Sequence, residues 1–179
     1  MSTFTKDLSK IEKCAIKCRK VLKGHQGKIF ALQWSEDKTH LTSVSQDSRL
    51  LVWEGLTTNK TTVIPLKCPW MMSCTQSPSG NFVAAAGLDN VCSVFNVLSA
   101  DFPPKPCREL SGHSAFVSCC RFLNDRQIIT SSADTTCILW DLESGSKIKE
   151  FIHHEQDVMA SVFFFFFLKI LFFNFFDFF

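Results

Sequence analysis

The stretch GHSAFVSCCRFLNDRQIITSSADTTCILWD, from Gly112 to Asp141, decides the fold. Val117–Phe122 and Gln127–Ser131 are short runs rich in β-branched or aromatic residues, and the Leu-Asn-Asp-Arg sequence between them is typical of a turn. Asp134 follows the second run, and Trp140 comes six residues later. The stretch therefore predicts antiparallel strands joined by short turns, without a helical period.

The same features recur at a fixed interval. A Gly-His pair occupies 24–25 and again 112–113, which is 88 residues later. An Asp six residues before an aromatic side chain occurs three times, with the Asp residues spaced by 42 and 45. A repeat of ~40–45 residues with a Gly-His start and a Trp-Asp-like end is the signature of a WD40 β-propeller blade. The Asp and aromatic pairs are Asp47 with Trp53, Asp89 with Phe95, and Asp134 with Trp140.

Other runs of strand-forming residues fit this interpretation, and polar turn sequences separate them. We therefore predict an all-β fold with about three to three and a half blades of a seven-bladed WD40 ring. The repeats are expected at about 24–65, 66–108 and 109–150, with the start of a fourth at 151–160. The additional runs are Lys28–Trp34, Leu41–Ser45, Leu50–Trp53, Phe82–Ala86 and Cys92–Val97.

Repeating polar residues predict a structural role. In the WD40 pattern, the His after Gly, a Ser or Thr on the second strand, the turn Asp and the strand Trp form a buried hydrogen-bond chain, so each buried polar group has a partner. The second repeat has Ala85 and Phe95 instead and must rely on apolar packing. The expected tetrads are His25, Ser43, Asp47 and Trp53 in the first repeat, and His113, Thr130, Asp134 and Trp140 in the third.

A Ser, His and Asp set also fits a hydrolase. Here the set recurs at the repeat period, and no nucleophile elbow accompanies it. The sequence also lacks a phosphate-binding Gly loop and metal-ligand spacing. We therefore expect no enzyme activity and no cofactor.

The chain from about Arg19 to Met159, about 140 of its 179 residues, resembles the β subunit of heterotrimeric G proteins. Generic WD40 proteins share the Gly-His and Trp-Asp spacing, but not TTNK, GLDN and SCCRFL in this order. The resemblance implies a seven-bladed propeller that holds a γ subunit and docks GDP-bound Gα and effectors on one face. The strings that carry it are LKGHQGKIFALQW, SQDSRLLVWEGLTTNK, PWMMSCTQSPSGNFVAAAGLDNVCS, RELSGH, FVSCCRFLNDRQIITSSADTTCILWDLESG and DVM.

The resemblance also implies which residues contact Gα and effectors. Phe30 and Phe116 stand where the family has Tyr, and Ser114 stands where it has Thr. Each lost Tyr hydroxyl costs about 1 kcal/mol if it removes an interfacial hydrogen bond. From the residues alone, Trp70 is either an exposed contact anchor beside two methionines or ordinary core. The positions that match the family are Lys28, Trp70, Met72, Leu88, Asn90, Asp157 and Met159.

Composition restricts function and location. With 19 Lys and Arg against 17 Asp and Glu, the net charge of +2 excludes the strongly basic field of a dedicated nucleic-acid binder. The nine cysteines are odd in number and form no CxxC pair, and no apolar leader opens the chain. We therefore expect buried free thiols in a cytoplasmic protein, located at the cytoplasmic face of the plasma membrane when in complex with lipidated partners.

The two ends depart from the family pattern. Residues 1–23 are expected to be a remnant of the γ-gripping coiled-coil helix, with Cys18–Leu22 as the counterpart of a clasp strand. Eleven of the 19 Phe lie within 163–179, so 161–179 is a low-complexity tail. It looks like translated non-coding sequence, and a membrane or aggregation segment is the alternative. An a/d-like spacing of only two heptads occurs at Leu8, Ile11, Ala15, Cys18 and Leu22.

Three functions follow from these residues. The first is a non-catalytic G-protein β-like scaffold that binds Gα, Gγ and effectors. The second is a WD40 adaptor in another assembly, and the third is a non-functional truncated fragment of the first. Binding to GDP-loaded Gα distinguishes them.

Overall fold

The computed structural model describes residues 17–57, 59–101, 103–164 and 169–174. Within these ranges the chain forms fourteen strands and no helix, so the prediction of an all-β fold is confirmed. The predicted coiled-coil remnant within 1–16 and the tail residues 165–168 and 175–179 lie outside the described residues.

Three four-stranded antiparallel sheets follow one another along the chain, and their strands are ordered as in the sequence. We call them blade 1 (β1–β4), blade 2 (β5–β8) and blade 3 (β9–β12), and β13 and β14 form a two-stranded hairpin. The strands are β1 (Ile29–Trp34), β2 (His40–Ser45), β3 (Arg49–Glu54), β4 (Lys60–Pro65), β5 (Met71–Gln76), β6 (Phe82–Gly87), β7 (Val91–Asn96), β8 (Pro106–Ser111), β9 (Val117–Phe122), β10 (Gln127–Ser132), β11 (Cys137–Asp141), β12 (Ser146–Phe151), β13 (Val158–Phe164) and β14 (Lys169–Asn174).

All seven strand-forming runs in the sequence fall on strands of the structure, namely β1, β2, β3, β6, β7, β9 and β10. The outermost strands β4, β8 and β12 were not among the predicted runs, and most of their residues are exposed. Cys18–Leu22, the expected counterpart of a clasp strand, has no strand conformation.

Alternating side chains on each sheet build two cores between the three blades. On β6, Val83 and Ala85 pack with blade 1, whereas Ala84 and Ala86 pack with blade 3. This follows from strand geometry, in which successive side chains point to opposite faces. A central blade is therefore apolar on both faces, and complete burial of a Val-sized side chain contributes about 1.5–3 kcal/mol.

The cysteines are only partly as expected. Five described thiols are buried and serve as small apolar residues, whereas Cys18 and Cys107 are exposed and Cys68 is half-buried. The expectation of general burial is therefore wrong for these three, which lie in the N-terminal segment, on an outer strand and in a loop. The buried thiols are Cys74, Cys92, Cys119, Cys120 and Cys137.

The first strand of each sheet lies at the centre of the arrangement. Strand β5 contacts β1 and β9, and β9 contacts β13. Each of these strands begins its sheet, so equivalent ends of the sheets lie on the same side. The partial propeller therefore presents the starts of β1, β5, β9 and β13 at one end.

The β13–β14 hairpin packs on blade 3. Ser118 Oγ donates a hydrogen bond to the Val158 carbonyl, and Ser131 Oγ lies 3.4 Å from Ser161 Oγ. The predicted boundary between the fourth repeat and the tail, at 160 and 161, falls inside β13. In the described part of the chain, no helix is long and apolar enough to cross a membrane.

Candidate functional site: the tetrads and the exposed end of the sheets

Blade 3 contains a continuous chain of side-chain hydrogen bonds. His113 Nδ1 lies 2.8 Å from Asp134 Oδ2, and His113 Nε2 lies 2.8 Å from Thr130 Oγ1. Trp140 Nε1–H donates to the same Thr130 hydroxyl at 2.8 Å. With the imidazole proton on Nδ1, the threonine hydroxyl donates to Nε2 while it accepts from the indole, so all these buried groups are satisfied.

Electrostatics favour a neutral imidazole beside a charged carboxylate in this blade. Burial acts to raise the pKa of Asp134, but hydrogen bonds from Thr136, the Ser114 amide and His113 outweigh it and lower the pKa to about 2. Burial also lowers the pKa of His113, even though Asp134 acts in the opposite direction. The tetrad is therefore in its hydrogen-bonded, neutral-His form at pH 7.

Blade 1 has the same arrangement. His25 Nδ1 lies 3.1 Å from Asp47 Oδ2, and His25 Nε2 lies 2.8 Å from Ser43 Oγ. Trp53 Nε1–H donates to Ser43 Oγ at 2.8 Å. Burial acts to raise the pKa of Asp47, but hydrogen bonds from the Gln26 amide and His25 outweigh it and lower the pKa.

These tetrads have no geometry for nucleophilic catalysis. Ser43 is 4% exposed and Thr130 is fully buried, and each hydroxyl accepts an indole N–H, so neither can reach a substrate. Among the described residues, no group of three or more His, Cys, Asp or Glu side chains is placed to bind a metal ion.

A lysine covers the tryptophan of each tetrad, which sequence reasoning missed. Lys60 Nζ lies 5.8 Å from the centroid of the Trp53 ring, and Lys147 Nζ lies 5.9 Å from that of Trp140. Lys147 also donates to the Gly112 carbonyl at 3.3 Å. Both lysines lie on outer strands, and their recurrence in two repeats was the signal available in the sequence. Each contact is a cation–π interaction over an indole ring.

Blade 2 has no tetrad. Ala85 is fully buried and Phe95 is 3% exposed, and both belong to the core shared with blade 1. Lys67, four residues before β5 where the other blades have His, forms an exposed ion pair with Glu109. Burial raises the pKa of Asp89, in contrast to the lowered pKa of Asp47 and Asp134.

The residues implied as partner contacts all lie at or next to the starts of the first strands or in the β6–β7 turn, at one end of the sheets. We call this end the strand-start surface. It consists of Lys28, Phe30, Trp70, Met72, Leu88, Asn90, Ser114, Phe116, Asp157 and Met159.

Contacts between blades join this surface. The Phe30 and Trp70 rings lie 5.5 Å apart between centroids, tilted by 35°. The Leu88 amide donates to the Trp70 carbonyl at 3.0 Å, and the Asn90 side-chain amide donates to the Ser114 carbonyl at 3.4 Å. The surface is therefore continuous from blade 1 through blade 2 to blade 3.

The close approach of β6 to the Trp70 backbone requires a glycine at position 87. A Cβ at Gly87 would lie 2.1 Å from the Trp70 carbonyl oxygen, so only glycine allows β6 to end against this backbone. Asn90, with φ of 61°, then turns the chain into β7. These two residues of the GLDN sequence set the position of Leu88 beside Trp70.

Large apolar side chains on this surface are open to solvent. Trp70 is 44% exposed, Leu88 is 50% exposed, and Met72 and Met159 are 36% and 38% exposed. Trp70 is thus not ordinary core, which was the alternative left open by the sequence. Lys28, Ser114 and Asp157 are also exposed, so the apolar centre has polar and charged neighbours.

Successive four-stranded antiparallel sheets with adjoining first strands, two of them containing a His–Ser/Thr–Asp–Trp hydrogen-bond chain, define a WD40 β-propeller protein. Residues 1–166 match the family model described as G protein beta WD-40 repeat protein. The chain therefore belongs to the G protein β WD40 family, and the resemblance found in the sequence is confirmed.

Individual relatives agree with this assignment. The chain is 57% identical over 162 residues to the guanine nucleotide-binding protein subunit beta of Dictyostelium discoideum, covering 89% of this chain and 47% of that protein. The chain thus spans about half the length of this curated relative. Two solved structures, of U3-55K and of the RRP9 WD40 repeats, each superpose with a TM-score of 0.68 at 21% identity. They cover 78% of this chain and 43% of theirs, and they show the fold alone.

Proposed function

We propose that this chain is a non-catalytic scaffold of a heterotrimeric G protein, which binds GDP-bound Gα and effectors through the strand-start surface and associates with Gγ. The observation that carries the proposal is the exposed Trp70, flanked by Met72 and Leu88, at the centre of that surface. Family membership supports the general kind of partner.

The chemistry of the surface fits a protein partner. Binding energy at protein interfaces concentrates in a few central residues, most often Trp, Tyr and Arg, surrounded by a rim that excludes water. Trp70 and Leu88 supply such a centre, and Lys28 and Asp157 supply unlike charges near its edge. Met72 and Met159 add flexible, polarisable contacts that adapt to a partner.

Three substitutions distinguish this surface from the family pattern. Phe30 and Phe116 keep an aromatic ring without the Tyr hydroxyl, and Ser114 keeps a hydroxyl without the Thr methyl. Phe30 also supports Trp70 through its ring contact. We propose that the two Phe residues preserve the shape of the surface while removing one hydrogen bond each, at about 1 kcal/mol per bond.

The proposed location follows from the proposed partners. A G-protein scaffold acts at the cytoplasmic face of the plasma membrane, and lipid chains on its partners provide the membrane contact. We propose that this chain is cytoplasmic and reaches the membrane only through those partners.

A pair of matched tryptophan variants tests the proposal. Trp34 is 53% exposed, close to the exposure of Trp70, but it lies at the opposite end of β1 from the strand-start surface. Binding of the full chain to purified GDP-bound Gα is measured by calorimetry for the parent, Trp70→Ala and Trp34→Ala. Loss of a central interface Trp weakens binding by about 2–4 kcal/mol, whereas Trp34→Ala leaves binding close to the parent.

Two results contradict the proposal. Equal binding by Trp70→Ala and the parent removes the case for this surface. A parent chain that folds but does not bind Gα favours the other functions considered above, a WD40 adaptor in another assembly or an inactive fragment.

A further inference from the structure

A cavity lies beside the core that blade 2 shares with blade 1. Its volume is about 190 Å³, and Leu66, Met71 and Phe95 of that core form part of its wall. An apolar cavity of ~150 Å³ binds benzene, whereas sites for drug-sized ligands measure ~300–1,000 Å³. The cavity therefore has room for a molecule of one or two fused rings.

The cavity lies where blade 2 has smaller side chains than the other two blades. Ser93 comes four residues after the turn Asp, at a position that blades 1 and 3 fill with the buried Leu51 and Ile138. Pro106 pairs with Phe95 on the outer strand, where the other blades have a lysine opposite the tryptophan. Both Ser93 and Pro106 line the cavity, so the volume missing at these positions accounts for the space. The equivalent lysines are Lys60 and Lys147.

Ser93 provides a polar group inside this cavity. The residue is 6% exposed and lies on β7 two residues before Phe95, so both side chains point to the same face of blade 2. Among the described residues, the Ser93 hydroxyl has no hydrogen-bond partner. The large majority of buried polar side-chain atoms in proteins are hydrogen-bonded, so this hydroxyl is available to accept a hydrogen bond from a ligand.

The other side chains favour a neutral aromatic ligand. The Phe95 ring and the Met71 thioether make favourable contacts with an aromatic ring. Lys67 and Glu109 at the exposed rim form an ion pair with each other, and Lys105 is exposed, so none of these described lining residues supplies a buried charge. A charged ligand would lose its hydration here without gaining a buried counter-ion.

We infer that this cavity in blade 2 binds a small neutral heteroaromatic molecule of one or two fused rings, with its N–H donating to Ser93 Oγ and its ring packed against Met71 and Phe95. The inference does not depend on the proposed Gα-binding function, because none of the residues that line the cavity belongs to the strand-start surface. Its test requires no partner protein.

Titration of the full chain with indole, followed by heteronuclear NMR, tests the inference. Indole is expected to bind with a dissociation constant of about 0.1–1 mM and to shift the backbone amide signals of Met71, Ser93 and Phe95. Indene has nearly the same shape without the N–H, so it should bind about two- to tenfold more weakly. The dispersion of the amide signals verifies that the chain is folded.

Two substitutions at Ser93 separate the hydrogen bond from the space. Ser93→Ala keeps the cavity and removes the hydroxyl, so indole and indene should bind equally. Ser93→Leu introduces the side chain that blade 1 has at this position and should abolish saturable binding of both, and Ser93→Val replaces it if it unfolds. The matched control Ser146→Leu changes an exposed serine on β12 and should leave both affinities unchanged.

The same titrations can contradict the inference. A folded parent that does not bind indole saturably, signal shifts confined to amides outside β5 and β7, or a folded Ser93→Leu variant that binds indole like the parent would each overturn it. An Ser93→Ala variant that still prefers indole over indene as the parent does would overturn the role of the Ser93 hydroxyl.

Discussion

Blades 2 and 3 have the same strand order but differ in how their strands are held together. Blade 3 joins three strand segments through His113, Thr130 and Trp140, with Asp134 at the turn. Blade 2 replaces this chain with Ala85 and Phe95, which are buried in an apolar core. The comparison shows that four antiparallel strands and two apolar faces are sufficient for a blade, and that the tetrad is an addition.

The tetrad stabilises a blade only when all of its hydrogen-bonding groups are present. Satisfied buried hydrogen bonds fix a unique geometry, but a buried polar group without its partner costs about 1–3 kcal/mol. Blade 3 therefore depends on every member of its tetrad. Blade 2 has no tetrad whose loss would leave a buried polar group unpaired. Its stability should instead depend on how well the volumes of its side chains fill the apolar core.

The largest expected difference comes from the turn carboxylates. Asp134→Ala leaves His113, the Ser114 amide and Thr136 without their acceptor and should lower the free energy of unfolding by about 2–4 kcal/mol. Asp89→Ala, the matched change in blade 2, removes a carboxylate whose pKa burial already raises, and should cost less than about 1 kcal/mol. Urea unfolding of the full chain measures both values. Equal losses of unfolding free energy in the two variants would show that blade 3 depends on its turn carboxylate no more than blade 2 does.

Substitutions of Trp140 and Phe95 are expected to change the free energy of unfolding by a smaller amount. Trp140→Phe removes the indole donor to Thr130 and part of the ring volume, for an expected loss of about 1–2 kcal/mol. Phe95→Trp makes blade 2 resemble the motif, yet it should also destabilise, by about 1–3 kcal/mol, because the larger ring enters a filled core beside Ala85. Thermal unfolding tests this pair. A stabilising Phe95→Trp would contradict the view that blade 2 is adapted to apolar packing.

The smallest effect is a pH dependence of stability through His113 in blade 3. The folded-state pKa of His113 is lowered below its ordinary value of about 6.5, so its unfolded state binds more protons below that pH. The stabilising contribution of neutral His113 is therefore complete above pH 6.5 and declines as pH falls, by at most about 1.4 kcal/mol per unit. The gap in unfolding free energy between the parent and His113→Asn should narrow from pH 7 to pH 5. A gap that widens would reverse the assigned direction.

Most inner strands could be predicted from the sequence because they are apolar and their turns are polar, but β5 and β11 were not among the predicted runs. The Gly-His and Asp spacing also predicted the register of the repeats. Outer strands such as Ser146–Phe151 could not be predicted, since five of its six residues are exposed and carry no alternating pattern. They are strands because the edge of β11 supplies their hydrogen-bond partners.

The candidate site, like the fold, could be predicted only in part from the sequence. The sequence named Trp70 and Leu88, but it left open whether Trp70 was core or surface. Only packing decided this, because Gly87 brings the end of β6 against the Trp70 backbone and leaves the indole 44% exposed. The lysines over Trp53 and Trp140 join residues from different strands, so local sequence reasoning did not find them.

The sequence by itself determined the class of fold, the repeat period and the family, because these depend on residue types at fixed spacing along the chain. The tertiary structure decided which apolar side chains are covered. Leu32 and Cys120 occupy equivalent positions in their repeats, yet one is 62% exposed and the other is fully buried. The physical reason is that burial depends on the neighbouring sheet: blade 2 covers Cys120, and no described sheet covers Leu32.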